Sequence, residues 1–329
     1  GLCGLGEEPR AAEACPAGAR ERAAGACPSA VEDLLAILLG HLILASGGEH
    51  ALCREGDGVL GYLLGAQVLP KLVVRLEDLG FEARKDAARV FDEALRLAAG
   101  TGTGAGRRLA EQLRGELEAL QLLLDGCGRP GIFFHCAEMV RSCTRCPELV
   151  TVLLDVGAVP RLLELAGHQN FEVSSEAFSC LRELLLSECG APAAYLEAHF
   201  TEFFGEFHAL LDDADYVTQR QAARLLGEVL LAADFSQVLL EYTCNERFLQ
   251  INMNLLLSSS TSIQLEAFHT FKVFVANPKR PLRIHRILHR NKDRLIRLLG
   301  SFSRKGHDDE DFTADLQAVL GLLHALSPR

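Results

Sequence analysis

Between Ser262 and Pro278 the chain reads S-I-Q-L-E-A-F-H-T-F-K-V-F-V-A-N-P, and Leu265, Phe268, Phe271, Val275 and Ala276 recur at three- and four-residue steps. That period places one apolar face on a helix. Ser262 is positioned to cap the helix, and Asn277-Pro278 to end it, because proline disfavours helical geometry in the residue before it. A small residue followed by apolar residues at plus four and plus seven appears here as Ala267, Phe271 and Phe274. It appears again as Ala222, Leu226, Val229; as Ala177, Leu181, Leu184; as Cys136, Val140, Cys143; and as Ala87, Phe91, Ala94. Neighbouring anchors lie 45, 45, 41 and 49 residues apart, which is the step of helical arrays of the armadillo and HEAT kind. The pattern predicts an all-α, helical-repeat solenoid, a curved rod whose units bury their apolar faces only by stacking on neighbours. Its repeat helices are expected near 81–97, 132–146, 171–186, 216–231 and 262–276, within a single array over 29–329.

The intervening segments fit that plan. Residues 1–28 lack apolar periodicity and read as a flexible or disordered leader. Helices are expected over Val31–Leu44, as a pair from Gly58 to Leu76 interrupted at Pro70, and over Arg108–Leu124, Pro147–Leu154 and Pro160–Ala166. Pro192–Leu211 carries Tyr195, Phe200, Phe203, Phe204 and Phe207 at helical spacing, a pattern of inter-repeat core. Further helices are expected from Phe235, over Arg247–Leu257 and over Ile284–Leu299, and Phe312–Leu326 would cap the open end.

Leucine and alanine dominate the 329 residues and tryptophan is absent, in keeping with an all-α class. The net charge of −11 argues against wholesale nucleic-acid binding, yet the segment 279–305 alone carries +9 and the remainder about −20. Eleven cysteines at irregular spacing, several inside helical patterns, read as buried thiols rather than a disulfide framework. No apolar run reaches transmembrane length. The glycines of 100–106 lack the Gly-Lys-Ser/Thr of a phosphate loop. The single C-x-x-C at Cys143-Cys146, with His135 and Cys136 nearby, has no second pair at finger spacing, so no metal is expected. No cofactor signature and no catalytic triad motif is present either, and the chain reads as a binding protein rather than an enzyme.

Opposite the core positions, the minus-two and plus-two residues of the fourth repeat are Arg220 and Arg224, and those of the first are Lys85 and Arg89. At minus six stand Phe81, Phe171 and Tyr216. Two readings stand for this pattern: a solvated helix face, or a ladder of aromatics and cations suited to an acidic or aromatic protein segment.

The stretches Y-V-T-Q-R-Q-A-A-R-L-L-G-E-V-L-L from Tyr216, M-N-L-L from Met253 and I-Q-L-E-A-F-H-T-F-K-V-F-V-A-N-P from Ile263 resemble the calcium-binding protein 39 family, the Mo25-type scaffold proteins. D-L-G-F-E-A-R-K-D-A-A-R-V-F from Asp78 also fits, so the likeness runs from Leu72 to Phe302. What the resemblance implies is a cytoplasmic scaffold without catalytic activity. It would bind Ste20-like kinases or pseudokinases and hold them active. By the matching motifs, Phe171, Tyr216, Arg220 and Arg224 fall on the kinase-facing inner surface. Met253 falls on the floor and Arg290 on the basic rim of a pocket for a partner tail ending in Trp-Glu-Phe or similar, and Phe235 falls near that pocket. The segment Leu231–Phe235 is one residue shorter than the family's and lacks its basic residue, and Gln250 replaces a usual lysine. A rival assignment gives the basic 279–305 segment to anionic lipid or nucleic acid.

Overall fold

A computed structural model describes residues 35, 37, 38, 40, 61–100, 105–212, 215–302 and 310–328, and every regular element among them is helical. The expected leader lies outside these residues, as do most of 31–44, residues 101–104 of the glycine-rich turn and residues 303–309. In chain order the helices are α1 (Val68–Arg75), α2 (Phe81–Gly100), α3 (Ala105–Gly115), α4 (Leu117–Gly126), α5 (Phe133–Cys143), α6 (Pro147–Asp155), α7 (Ala158–Ala166) and α8 (Phe171–Leu185). They continue as α9 (Ala191–Ala198), α10 (Phe200–Asp212), α11 (Tyr216–Leu231), α12 (Ser236–Tyr242), α13 (Glu246–Leu256), α14 (Thr261–Ala276), α15 (Leu282–Phe302) and α16 (Glu310–His324).

The helices that carry the repeated small anchor stack on one another. α2 packs on α5, α5 on α8, α8 on α11, α11 on α14, and α14 on α16. The anchors explain the closeness of this row: Ala87, Cys136, Ala177, Ala222 and Ala267 are all buried, and each is small enough to let the facing helix approach. Their plus-four and plus-seven partners are buried too. Buried apolar residues form one continuous cluster from Leu35 to Leu326, as stacking of interdependent units requires.

Several boundaries differ from the expected ones, each for a local reason. Pro70 does not break its helix; it occupies the first turn of α1, where the missing N–H costs no intrahelical bond. The chain turns instead at Gln67, which takes the left-handed conformation (φ 52°). The expected helix 132–146 stops at Cys143. Thr144 turns its hydroxyl onto the carbonyl of Arg141 (2.7 Å), and Pro147 at the start of α6 holds Cys146 extended. Arg108–Leu124 divides at Glu116, just after Gly115, and Pro192–Leu211 divides at His199, whose Nδ1 lies 3.0 Å from the carbonyl of Tyr195. The cap of α14 is Ser260 rather than Ser262, its hydroxyl accepting from the N–H of Ile263. Asn277 ends α14 as expected, and its buried amide donates to the hydroxyl of Thr243 (3.0 Å).

Candidate functional site

Two of the row helices open alike. Asn170 caps α8 and Asp215 caps α11 by accepting from backbone N–H groups of the first turn, and the next residue, Phe171 or Tyr216, therefore sits at the first helical position. A side chain there projects beyond the end of the buried face. Phe171 is 60% exposed, Tyr216 50%, and Phe81, first in α2, 70%. The sequence reading missed one rung: Phe134, second in α5, is 50% exposed. The repeat pattern alone places it off register, but its neighbour His135 restores continuity. The His135 ring meets Phe81 edge-on at 6.2 Å and Phe134 at 5.9 Å, and burial with the nearby Arg84 holds its pKa low. Of the five exposed Phe and Tyr among the described residues, only Tyr62 lies away from this line.

Along α11 the aromatic is followed at four-residue steps by Arg220 and Arg224, both exposed. The same stripe occurs in α2 as Phe81, Lys85 and Arg89, whereas α8 presents Phe171, Ser175 and Ser179. Tyr216 and Arg220 act as a unit with the next repeat. The Tyr216 hydroxyl is held below its ordinary pKa by the hydroxyls of Ser260 and Ser262 at the start of α14, with Arg220 contributing. Arg224 donates to Glu228 (3.0 Å), and the same carboxylate accepts from Arg182 of α8 (2.6 Å). On α14, Glu266 is raised by burial, and both Arg224 and Arg220 oppose that shift, so this carboxylate also faces the two guanidiniums.

These contacts belong to a wider pattern in which side chains bridge adjacent row helices. Arg145 of the α5–α6 turn reaches Asp92 of α2 at 2.5 Å, and Ser142 donates to the same carboxylate at 2.7 Å. Arg141 of α5 pairs with Glu176 and Glu183 of α8, and Lys272 of α14 with Asp315 of α16. Arg220 stands apart, since no carboxylate among the described residues lies within ion-pair distance of it.

The residues assigned to a tail pocket are spread over three elements. Phe235 ends the short 3₁₀ turn between α11 and α12 and is buried, so it can shape a wall but offers little surface. Met253 of α13 is half-buried against the core, and Arg290 of α15 is exposed. α13 and α15 touch, and Arg283 pairs with Glu246 across them (3.2 Å). At the shortened segment, Leu231 is 46% exposed.

Among the described residues no group of three or more His, Cys, Asp or Glu could hold a metal ion. Cys143 and Cys146 are free and buried, and burial raises both thiols, as it raises Cys136 and Cys180 to about 12. No helix among them is long and apolar enough to cross a membrane.

The model of the Mo25-like family matches residues 43–327. The chain belongs to that family. It is 36% identical to MO25-like protein 2 of Caenorhabditis elegans, over 75% of this chain and 72% of that one. It is 33% identical to calcium-binding protein 39-like of Homo sapiens, over 76% and 73%, and 32% identical to the degreening-related gene dee76 protein of Auxenochlorella protothecoides, over 90% of each. Among solved structures it resembles computationally designed armadillo repeat proteins for modular peptide recognition (TM-score 0.51, 18% identity, 77% of this chain and 99% of that one). A designed armadillo repeat protein in complex with the peptide (KR)4 is similar too (TM-score 0.52, 20% identity, 78% and 99%). These structures share its helical-repeat fold.

Proposed function

We propose that this Mo25-like chain is a non-catalytic, cytoplasmic scaffold that binds a Ste20-like kinase or pseudokinase and holds it in its active arrangement. The observation that carries the reading is the row Phe81, Phe134, Phe171 and Tyr216, four exposed aromatics at the first turns of successive stacked helices. Burying one such ring in an interface contributes about 1.5–3 kcal/mol. Arg220 is exposed and in no ion pair among the described residues, with Glu266 the carboxylate it faces, so its guanidinium can take up an acidic group of the partner. Activation needs no chemistry from the scaffold. A surface that binds only the active arrangement of a kinase raises its population by the difference in affinity, about tenfold for each 1.4 kcal/mol.

The second contact in this reading is a tail ending in Trp-Glu-Phe or a similar motif, held at Met253 and Arg290 with Phe235 behind. Arg290 lies on an exposed stripe with Arg283, Arg286, Arg294 and Arg297, which suits the acidic residue of such a tail. The test is reconstitution with purified Ste20-like kinases. Phe171→Ala with Tyr216→Ala, or Arg220→Glu alone, should abolish stimulation of kinase activity while the melting temperature stays within about 2 °C. A labelled Trp-Glu-Phe peptide should lose affinity with Met253→Ala and Arg290→Glu but not with the ladder variants. Full stimulation by the ladder variants would remove the concave-surface assignment.

The arginine stripe of α15 is also the observation behind a second reading, adsorption to anionic lipid. Cosedimentation with phosphatidylserine vesicles that vanishes at high salt and in Arg286→Glu/Arg294→Glu would favour it over tail binding.

A further inference from the structure

Residues 148–246 carry 17 Asp or Glu against four Lys or Arg. Three of those four, Arg182, Arg220 and Arg224, gather at one place on the stacked pair α8 and α11, while the fourth, Arg161, is tied to Asp125 and Glu164. Glu228 joins two of the three. Its Oε2 accepts from Nε of Arg182 (2.6 Å) and its Oε1 from Nε of Arg224 (3.0 Å). Each guanidinium therefore uses one N–H, and among the described residues neither makes another hydrogen bond or ion pair. Arg220 stands one turn before Arg224, exposed and in no ion pair.

A bridge between repeats needs one cation for each carboxylate. Arg145 with Asp92 and Lys272 with Asp315 have that ratio, and at Arg141 the acids are in excess. Glu228 is the one carboxylate among the described ion pairs that serves two cations. Its side chain is 24% exposed, against 52% for Arg182 and 60% for Arg224, so the acid lies beneath and the guanidiniums are open to solvent. Held at Nε by a shared acid, each keeps its pair of Nη groups free. One further carboxylate, half-buried Glu266, faces Arg224 and Arg220, and Glu183 beside Arg182 has its ion pair with Arg141. Three guanidiniums thus stand against two acids of their own.

We propose that Arg182 and Arg224, with Arg220 beside them, receive the phosphoryl group of a phosphorylated serine, threonine or tyrosine of the partner polypeptide. The kinase identity of that partner rests on the scaffold reading; the phosphoryl chemistry does not. A phosphoryl group carries nearly two negative charges and three acceptor oxygens. Two guanidinium forks match it, whereas a carboxylate, with two oxygens and one charge, satisfies only one. The surroundings select a single phosphoryl group over a polyanion. A bilayer surface or a nucleic-acid strand brings many phosphates at once and meets the acidic remainder of 148–246. Phe171 and Tyr216 begin the same two helices, and Arg182 and Arg224 lie about three and two turns further on. A segment anchored on those rings therefore passes the three arginines, and its binding reads whether it has been phosphorylated.

The test measures binding of the whole chain to a purified Ste20-like kinase, autophosphorylated or stripped by a phosphatase, using biolayer interferometry. The phosphorylated form should bind at least about tenfold tighter. Arg182→Lys/Arg224→Lys keeps the charge but loses both forks, so the ratio should fall below about threefold while the affinity for the stripped form is unchanged. Its melting temperature should stay within about 2 °C of the parent's. Phe171→Ala/Tyr216→Ala should weaken both kinase forms alike. A second arm needs no kinase: degenerate peptide libraries centred on phosphoserine, phosphothreonine or phosphotyrosine, each beside its unphosphorylated counterpart. The parent should retain phosphopeptides and the lysine variant should not. Equal binding of the two kinase forms, or a preference that survives in the lysine variant, overturns the proposal and leaves the scaffold reading standing. Binding of neither kinase form, with phosphopeptides retained by the parent alone, upholds the phosphoryl site and overturns the scaffold reading. Binding to phosphoinositide vesicles that the lysine variant loses, with no phosphopeptide retained, overturns the proposal in favour of a lipid headgroup.

Discussion

Lowering the pH from 6.5 to 4 should destabilise this protein through one side chain. His208 lies inside the aromatic cluster of α10, α12 and α13, where burial, with Arg247 adding to it, lowers its pKa from 6.5 to about 4. Its imidazole is therefore neutral in the fold and faces the Tyr242 hydroxyl. Between these two values the unfolded chain binds a proton that the folded chain refuses, so stability rises with pH there. It is complete above 6.5 and is lost as the pH falls towards 4. A difference of about 2.5 pH units amounts to roughly 3 kcal/mol, or about 4–5 °C in melting temperature for a chain of this length unfolding as one unit. The clean measurement is the pH dependence of the urea midpoint for the parent and for His208→Phe. That substitution keeps an aromatic ring against Phe204 and Phe248 but cannot take up a proton. Carboxylates elsewhere titrate in both proteins and cancel in the comparison. Parallel curves from pH 6.5 to 4 would refute the reasoning, because they would mean that His208 is as easily protonated in the fold as outside it.

Tyr242→Phe removes the hydroxyl shared by His208 and Asn252 (3.2 and 3.1 Å) in a fully buried site, and should cost about 1–3 kcal/mol by denaturant titration. Gly126→Ala drives a Cβ to 2.4 Å from Cys136 Sγ; a loss of about 1–3 kcal/mol is expected, most of it recovered in the double variant with Cys136→Ala. Iodoacetamide on the native protein should label exposed Cys244 well before Cys136, Cys143 or Cys180, whose thiols burial holds protonated; peptide mapping by mass reads the order.

The array was legible in the sequence because its physical cause is periodic. Close stacking of row helices needs a small residue at the crossing and apolar residues four and seven places on, and that requirement recurs at nearly equal steps. Helix starts were legible where a cap precedes an aromatic, as at Asp215-Tyr216. The breaks at Glu116 and His199 were not, because the apolar period runs through both and only local backbone geometry interrupts it. Phe134 was not legible because it stands two places before its anchor Cys136, the register of Lys85 and Arg220 rather than of the other aromatics, and only the ring contacts through His135 link it to Phe81. The sharing of Glu228 between Arg182 and Arg224 joins residues 46 positions apart, a pairing that no spacing rule within one helix reveals.

Because Phe171 and Tyr216 stand at the same place before the anchors of the stacked helices α8 and α11, the interval between these rungs is set by the packing of helices, about 8–10 Å. The row is in effect a ruler. A partner that touches more than one rung must carry anchors at that interval, which an α-helix supplies every second turn (about 10.8 Å) and a polyproline II segment every turn (about 9.3 Å). One residue inserted between such anchors would put every later rung out of phase, so binding here selects for the length between contacts as strictly as for their chemistry.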